Sequence, residues 1–425
     1  MFKKATAAFA IIAAASNLVS AEVSFDTLNK SNIRQEIANL ELSVPAAAPA
    51  AEEGVLNKSS KEWTIMVFIN AKNNLERYGL LDMNEMEKIG SSDKVNIVVE
   101  MGRIAGYSSA DGDWKTTRRF LVQKDNDFSK VTSPVLADLG KTDMGDYKTL
   151  VNFVNWSKAT YPARKYMLVV WNHGSGWDKA RALDVTKGIS YDDETGHHIN
   201  TPQLGLALKE MGGVNVYGSD ACLMQMPEVT YEIRNYTDYI VGSEETEPGD
   251  GYTYDLFVGP IVANPAMNPY QAGKAAVDGY SDHYQSVGQG STQSLLKSDT
   301  LDAFVSLVND FVKAAMATGE QALAKTAAGG SQSYAVYDNK DMGHFFDRYA
   351  ATTASAEVKS KALALKAYID GTLIVHNRVN GEFTNGNSHG IAAYMPGYSF
   401  NSDYNDLAWA KDARWDEFIN WYQGK

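Results

Sequence analysis

The chain has 425 residues, a formal net charge of -13 and a single cysteine, Cys222. An acidic chain with its lysines and arginines scattered is not built to bind nucleic acid, and one cysteine excludes an internal disulfide framework. At this length, core burial alone can stabilise one large domain or two moderate ones.

Residues 1–21 read as an export signal. Lys3 and Lys4 precede the small apolar run Ala5 to Ala15, and Val19-Ser20-Ala21 has a small-x-small cleavage pattern. The run is too short and alanine-rich for a membrane anchor. A secreted or periplasmic protein with no stable membrane anchor is therefore expected. Residues 22–60 comprise an amphipathic stretch, Ile33 to Leu42, and a Pro/Ala-rich linker, Val44 to Gly54.

A catalytic core is predicted over 61–265. Trp63 to Ile69 and Val95 to Met101 are nearly all apolar, as in strands buried on both faces. A helix over Leu80 to Ile89 separates them. Thr116 to Gln123 and the segment around Val131 suggest a polar-edged hairpin, and Tyr147 to Lys158 a helix. Tyr166 to Trp171, Val214 to Tyr217 and Tyr239 to Ser243 complete the core strands, with helices over Pro202 to Met211 and Pro227 to Arg234. This alternation predicts an α/β fold with a mostly parallel sheet flanked by helices. Residues 266–425 are predicted to form a helical and mixed C-terminal part packed on the core. Its helices are Ala266 to Tyr284, Leu301 to Ala324, Phe345 to Tyr349, Ser355 to Tyr368 and Ala413 to Tyr422. Gln285 to Ser298 is a Gly/Ser/Gln-rich loop, and Gly371 to Arg378 and Gly390 to Met395 are late strands.

Ligands of parallel α/β sheets bind beyond the carboxyl ends of the strands. His173 follows the third core strand and Cys222 the fourth, while Glu244, Glu245 and Glu247 follow the fifth. Free cysteines are often merely structural core residues. Cys222, however, sits at a strand-to-helix junction, where backbone N–H groups favour a thiolate and can hold an oxyanion. His173, between a buried strand and Gly174, is placed at the rim as its base; Gly174 leaves room for a substrate backbone and offers an N–H. Neighbouring strands are about 5 Å apart, so the loops must bring imidazole and sulfur to roughly 3–4 Å. Asp220, two residues before Cys222, is either a turn cap or a pocket carboxylate that selects Arg or Lys in a substrate. Asp250, between Gly249 and Gly251, is placed to help it. Asp192 and Asp193 open an acidic run that is either a solvated loop or a calcium-binding loop.

At these residues the chain resembles the clostripain-like cysteine peptidases, within the caspase, gingipain and legumain group. The matching pieces are Trp63 to Asn70 with Asn73-Asn74-Leu75, Val170-Trp171-Asn172-His173-Gly174-Ser175-Gly176-Trp177, Asp192-Asp193, Asp220-Ala221-Cys222-Leu223-Met224, Glu228 to Glu232, and Gly242 to Gly249. Gly390 to Pro396 matches a later element. The likeness spans about 60–425 and is strongest over 165–255. It implies a caspase-like fold and a His173/Cys222 dyad that hydrolyses peptide bonds after Arg, and after Lys, through a thioester. It also implies Asp220 in the pocket for that side chain with Asp250 as helper, and zymogen maturation by cleavage between the His and Cys segments. Lys179, Arg181 and Lys187 are the candidate cleavage positions. The chemistry needs no cofactor, calcium being a structural or activating ion at most. The expected partners are peptides or proteins carrying basic residues, met by a monomer. The alternatives are an inactive exported peptide-binding protein on the same fold, and a peptidase or transpeptidase with another primary specificity.

Overall fold

The computed structural model describes residues 60–177, 188–381 and 385–425. The export signal, the Pro/Ala linker and Lys179, Arg181 and Lys187 lie outside the described residues. The strands are β1 (Lys61–Ala71), β2 (Val95–Arg103), β3 (Thr117–Leu121), β4 (Val135–Asp138), β5 (Ala163–Trp171), β6 (Ile189–Asp192), β7 (His197–Ile199), β8 (Val214–Asp220), β9 (Thr237–Gly242), β10 (Ser291–Lys297), β11 (Asn339–Asp341), β12 (Ile374–Asn380) and β13 (Ala392–Tyr394). Nine of them form one sheet in the order β12-β10-β9-β8-β5-β1-β2-β3-β4, and β6 with β7 and β11 with β13 make two small hairpin-like pairs. Its five central strands, β9-β8-β5-β1-β2, run parallel. The flanking strands add antiparallel pairs.

The centre of the sheet is where the sequence places its apolar runs. β2 is buried along its whole length, and β1 from Trp63 onward. Burial on both faces requires helices above and below. These include α1 (Glu76–Ile89), α2 (Tyr147–Thr160), α3 (Thr201–Glu210) and α4 (Pro227–Ile233). Helix α3 starts on an Asn200/Gln203 capping box with Pro202 in its first turn, which satisfies the backbone donors a helix start leaves open.

The main departure from the predicted elements is β10. Its Ser291-Thr292-Gln293-Ser294 run has the composition of a loop, yet all four residues are buried in the sheet between β9 and β12. Their hydroxyl and amide groups bond the turn after β9 and the loop before β13. These satisfied side-chain hydrogen bonds offset the desolvation of a polar strand. Through β10 and β12, residues from the C-terminal part enter the same sheet as the core. Helix α5 (Tyr254–Ala263) was hidden by Pro260 inside it, and α6 (Pro269–Ser286) follows. The long helix over 301–324 divides into α7 (Leu301–Met316) and α8 (Gln321–Gly330), with Gly319 at positive φ between them. The second hairpin strand lies at β4 rather than near Val131. Helices α9 (Met342–Thr352) and α10 (Ala356–Tyr368) and the terminal helix Trp415–Tyr422 complete the C-terminal part.

Candidate active site

β5 and β8 are parallel neighbours, and their register pairs Trp171 with Asp220. The Asn172 N–H continues the ladder by donating to Asp220 O at 3.2 Å. One step on, His173 and Cys222 leave the same sheet edge side by side. Gly174 lies against the Cys222 backbone: a Cβ there would sit 2.4 Å from Cys222 O and 3.1 Å from Cys222 N. Only glycine fits that approach. Asn172 locks the loop, donating to Asn70 O and Tyr191 O and accepting from Tyr191 N.

The His173 ring is oriented by Asn74, from the turn between β1 and α1. Nε2 lies 2.7 Å from Asn74 Oδ1. An amide oxygen accepts only, so Nε2 carries the hydrogen and Nδ1 is the basic nitrogen. Asp193 lies close enough for the His173 charge to act on its carboxyl, and Tyr107 OH donates to Asp193 Oδ2 at 3.4 Å.

Cys222 itself is fully buried, whereas the sequence placed it on an open rim. Its sulfur accepts from the Glu247 N–H at 3.2 Å. That donor belongs to the turn after β9. The helix expected to supply one, α4, begins only at Pro227. Leu223, next to Cys222, holds φ 64°. A branched side chain in the left-handed region is strained, and strain of this kind concentrates at functional turns.

A family model of the clostripain family, Peptidase C11, matches residues 67–422. The chain belongs to the clostripain family. Clostripain from Hathewaya histolytica is 29% identical over 237 residues, a match spanning 50% of this chain and 44% of that protein. Two solved structures share the fold at 20% identity. One is a secreted C11 cysteine protease from Bacteroides thetaiotaomicron bound to an irreversible peptide inhibitor (TM-score 0.62, 85% of this chain and 99% of that one). The other is an inactive zymogen C11 protease from Parabacteroides distasonis (TM-score 0.61, 84% and 99%). The sequence reading of a clostripain-like cysteine endopeptidase on a caspase-like sheet agrees with these matches.

In this clostripain-family chain Asp220 ends β8 and is buried. Tyr252 N donates to Oδ1 at 3.1 Å and Tyr254 OH to Oδ2 at 2.8 Å. Burial pushes its carboxyl up to about 6, against the opposing effect of hydrogen bonds from Tyr254, Glu247 and Tyr252. The structure turns Asp250 outward: its side chain is 69% exposed, 3.6 Å from His283. Glu247 takes the place beside Asp220 that the sequence suggested for Asp250, and burial, then the charge of Asp220, raises its carboxyl. Two further acids approach from α1, Asp82 buried and Glu85 half-buried. Asp82 accepts from Trp171 Nε1 at 2.6 Å, and Glu85 accepts from Tyr254 N at 2.8 Å. Burial, then the charge of Asp220, raises Asp82, while burial raises Glu85 to about 7. Sequence reasoning missed both, although Asp82 is buried on α1 with Met83 and Met86, and Glu85 lies half-buried one turn on. Charged residues on a buried helix face were the available signal.

The calcium expectation meets a different arrangement. Asp192 is buried, accepting from Glu194 N and Thr195 N at Oδ1 and from Met144 N at Oδ2. Lys72 Nζ lies 3.4 Å from Asp192 and 2.8 Å from Glu194. An ammonium thus stands where a cation would, and Asp193 is directed toward the His173 side. Among the described residues no group of three or more His, Cys, Asp or Glu converges as a metal site. The Asp192/Asp193 pair does not fit a calcium ion here. Among the described residues, no helix is long and apolar enough to cross a membrane.

Proposed function

We propose that the protein is a secreted cysteine endopeptidase that hydrolyses peptide bonds after Arg, and after Lys, in peptides and proteins. The observation that carries this reading is the packing of Gly174 on Cys222, which holds the His173 loop against the sole thiol, with buried Asp220 two residues before it. His173 Nδ1 takes the thiol proton. The sulfur attacks the carbonyl carbon after the basic residue, forming a C–S bond and an oxyanion that the Gly174 and Cys222 N–H groups would stabilise. As the intermediate collapses, the C–N bond breaks and His173 gives its proton to the departing amine. Water, deprotonated by His173, then attacks the thioester; the acid leaves and the thiol is restored.

Specificity follows from charge. Burial raises the carboxyls of Asp220 and Glu247, which favours a bound proton in the substrate-free protein, and Asp82 and Glu85 lie near them. A guanidinium or ammonium entering this region would replace the proton as the compensating charge. Because Cys222 is covered, the surrounding loops have to part to admit a peptide.

The test is an irreversible peptidyl ketone probe with Arg, Lys, Asn or Leu at the reactive end, read by mass spectrometry. Arg and Lys probes should label Cys222, with labelling lost in Cys222→Ala and strongly reduced in His173→Ala. Equal labelling by Leu would overturn the specificity. No labelling by any probe, with peptide still bound, would favour an inactive peptide-binding protein.

A further inference from the structure

The turn after β9 carries two buried glutamates, each set against an aspartate. Glu247 lies against Asp220 and Glu244 against Asp341, and burial, then the neighbouring carboxylate, raises both glutamates. Two carboxyl groups this close favour a proton held between them. The Glu244–Asp341 pair lies outside the reacting groups and joins the catalytic turn to the C-terminal part. Tyr334 OH donates to Glu244 Oε1 at 2.9 Å, and Gly390 N donates to Oε2 at 3.1 Å. Asp341 accepts from His344 N at 2.5 Å and from His389 N at 2.6 Å. Both acids are essentially inaccessible to solvent. On the other side of the turn, Thr292 Oγ1 of β10 accepts from the N–H groups of Glu244 and Glu245, each at 3.1 Å.

Three residues beyond Glu244, the same turn presents the Glu247 N–H to the Cys222 sulfur. We propose that Glu244 is a positioning residue for Cys222: the bonds its carboxyl accepts from Tyr334 OH and Gly390 N–H, with Asp341 beside it, anchor the turn that aims the Glu247 N–H at the sulfur. The C-terminal part thereby sets how readily Cys222 ionises. This rests on Cys222 being the nucleophile.

The anchor is sensitive to pH. Burial, reinforced by Asp341, holds the Glu244 carboxyl well above its ordinary range. Loss of the shared proton at alkaline pH leaves two carboxylates in contact, and they repel. The titratable and charged groups around the pair are Tyr334 at Glu244, His389 and His344 at Asp341, Asp370 and Lys366 behind His389, and Arg348 behind His344. Glu245, next in the turn, spends its Oε1 on Thr246 N and Ala335 N.

The experiment compares wild type, Glu244→Ala, Glu244→Gln and Tyr334→Phe. Thiolate absorbance of the sole cysteine is titrated against a Cys222→Ser blank, and an Arg peptide is used for steady-state kinetics. Glu244→Ala should raise the thiolate midpoint by about half a unit or more and lower kcat roughly tenfold with little change in KM. Glu244→Gln, whose amide donates to Asp341 without a titrating proton, should restore most of kcat and weaken the alkaline decline. Tyr334→Phe should shift the midpoint in the same direction as the alanine variant, by less. Wild-type midpoints in Glu244→Ala and Tyr334→Phe would overturn the proposal, and if the alanine variant does not fold, Tyr334→Phe decides it alone. The titration reads Cys222 whether or not peptides are cleaved, so a wild-type protein that hydrolyses nothing would defeat the peptidase reading separately.

Discussion

The backbone N–H of Glu247 lies 3.2 Å from the sulfur of Cys222, reaching across from the turn after the neighbouring strand. The side chain of the same residue lies against Asp220, and burial raises both carboxyls, which favours a proton shared between them. The thiol and the buried acids are therefore held by one residue. A fully ionised pocket would oppose a thiolate beside it, because like charges in a poorly solvated space repel strongly. The shared proton lowers that opposition before substrate arrives, and a basic substrate side chain would lower it afterwards.

Replacing Asp220 with Asn tests the pocket. Its carboxyl is held at about 6 by burial, so it is protonated below that pH and anionic above it. For wild type, kcat/KM on Arg peptides should rise as pH increases through about 6. Asp220→Asn should flatten that step and lower kcat/KM at neutral pH by roughly 10- to 100-fold, the value of a charge-assisted contact. The stability effect has the opposite slope. A raised carboxyl binds its proton more tightly in the native state, so its contribution is full below the ordinary carboxylate range and is lost as pH rises through about 6. Denaturant midpoints across that range, in wild type and variant, check the sign.

Asn74 Oδ1 lies 2.7 Å from His173 Nε2, and in the proposed mechanism this contact leaves Nδ1 as the base. Asn74→Ala should lower kcat roughly tenfold or more while leaving KM near wild type, since general-base work depends on orientation. Asn74→Asp places a carboxylate against the ring. It should favour the imidazolium and move the acid limb of the kcat profile to higher pH. An acid limb that stays in place would remove Asn74 from this role.

The parallel centre of the sheet was legible because β1, β2, β5, β8 and β9 are short apolar runs punctuated by helices. The placement of His173 and Cys222 past the ends of neighbouring strands was legible because each follows such a run. What escaped reading was polar and buried. β10 has the composition of a loop, and only the partners of Thr292, Gln293 and Ser294 in three dimensions make it a strand. Glu247 stood among several acids in one turn, and periodicity cannot say which of them faces inward. Asp250 seemed equally placed by spacing, but the turn at Gly251, whose φ is 56°, directs Asp250 outward and brings the backbone against Asp220. The burial of Cys222 depends on tertiary packing that strand order alone does not reveal.

Lys72 is expected to be a structural cation. Its side chain is fully covered and it bridges Asp192 and Glu194. Removing one partner of a buried pair leaves the other charge uncompensated, so Lys72→Met should destabilise the fold by about 3 kcal/mol in urea unfolding. The variant also frees acceptors for an added ion. Calcium should raise the unfolding midpoint of Lys72→Met and leave wild type unchanged at this site; an equal rise in wild type would mean that calcium displaces the ammonium.

Gly174→Ala probes the packing on which the dyad depends. The added Cβ would stand 2.4 Å from Cys222 O and 2.9 Å from the Ala221 Cβ, so the β5 and β8 loops have to separate. Overpacking of this kind costs about 1–3 kcal/mol in stability. Activity should suffer more than stability, because the same displacement separates His173 from Cys222 and moves the Gly174 N–H away from the oxyanion. Gly371→Ala is the control, since a Cβ there meets open space. Unfolding midpoints and probe labelling measured on both variants separate the effects. Full labelling of Gly174→Ala by an Arg probe would show that the two loops tolerate separation and that their close contact is not what aligns the base with the sulfur.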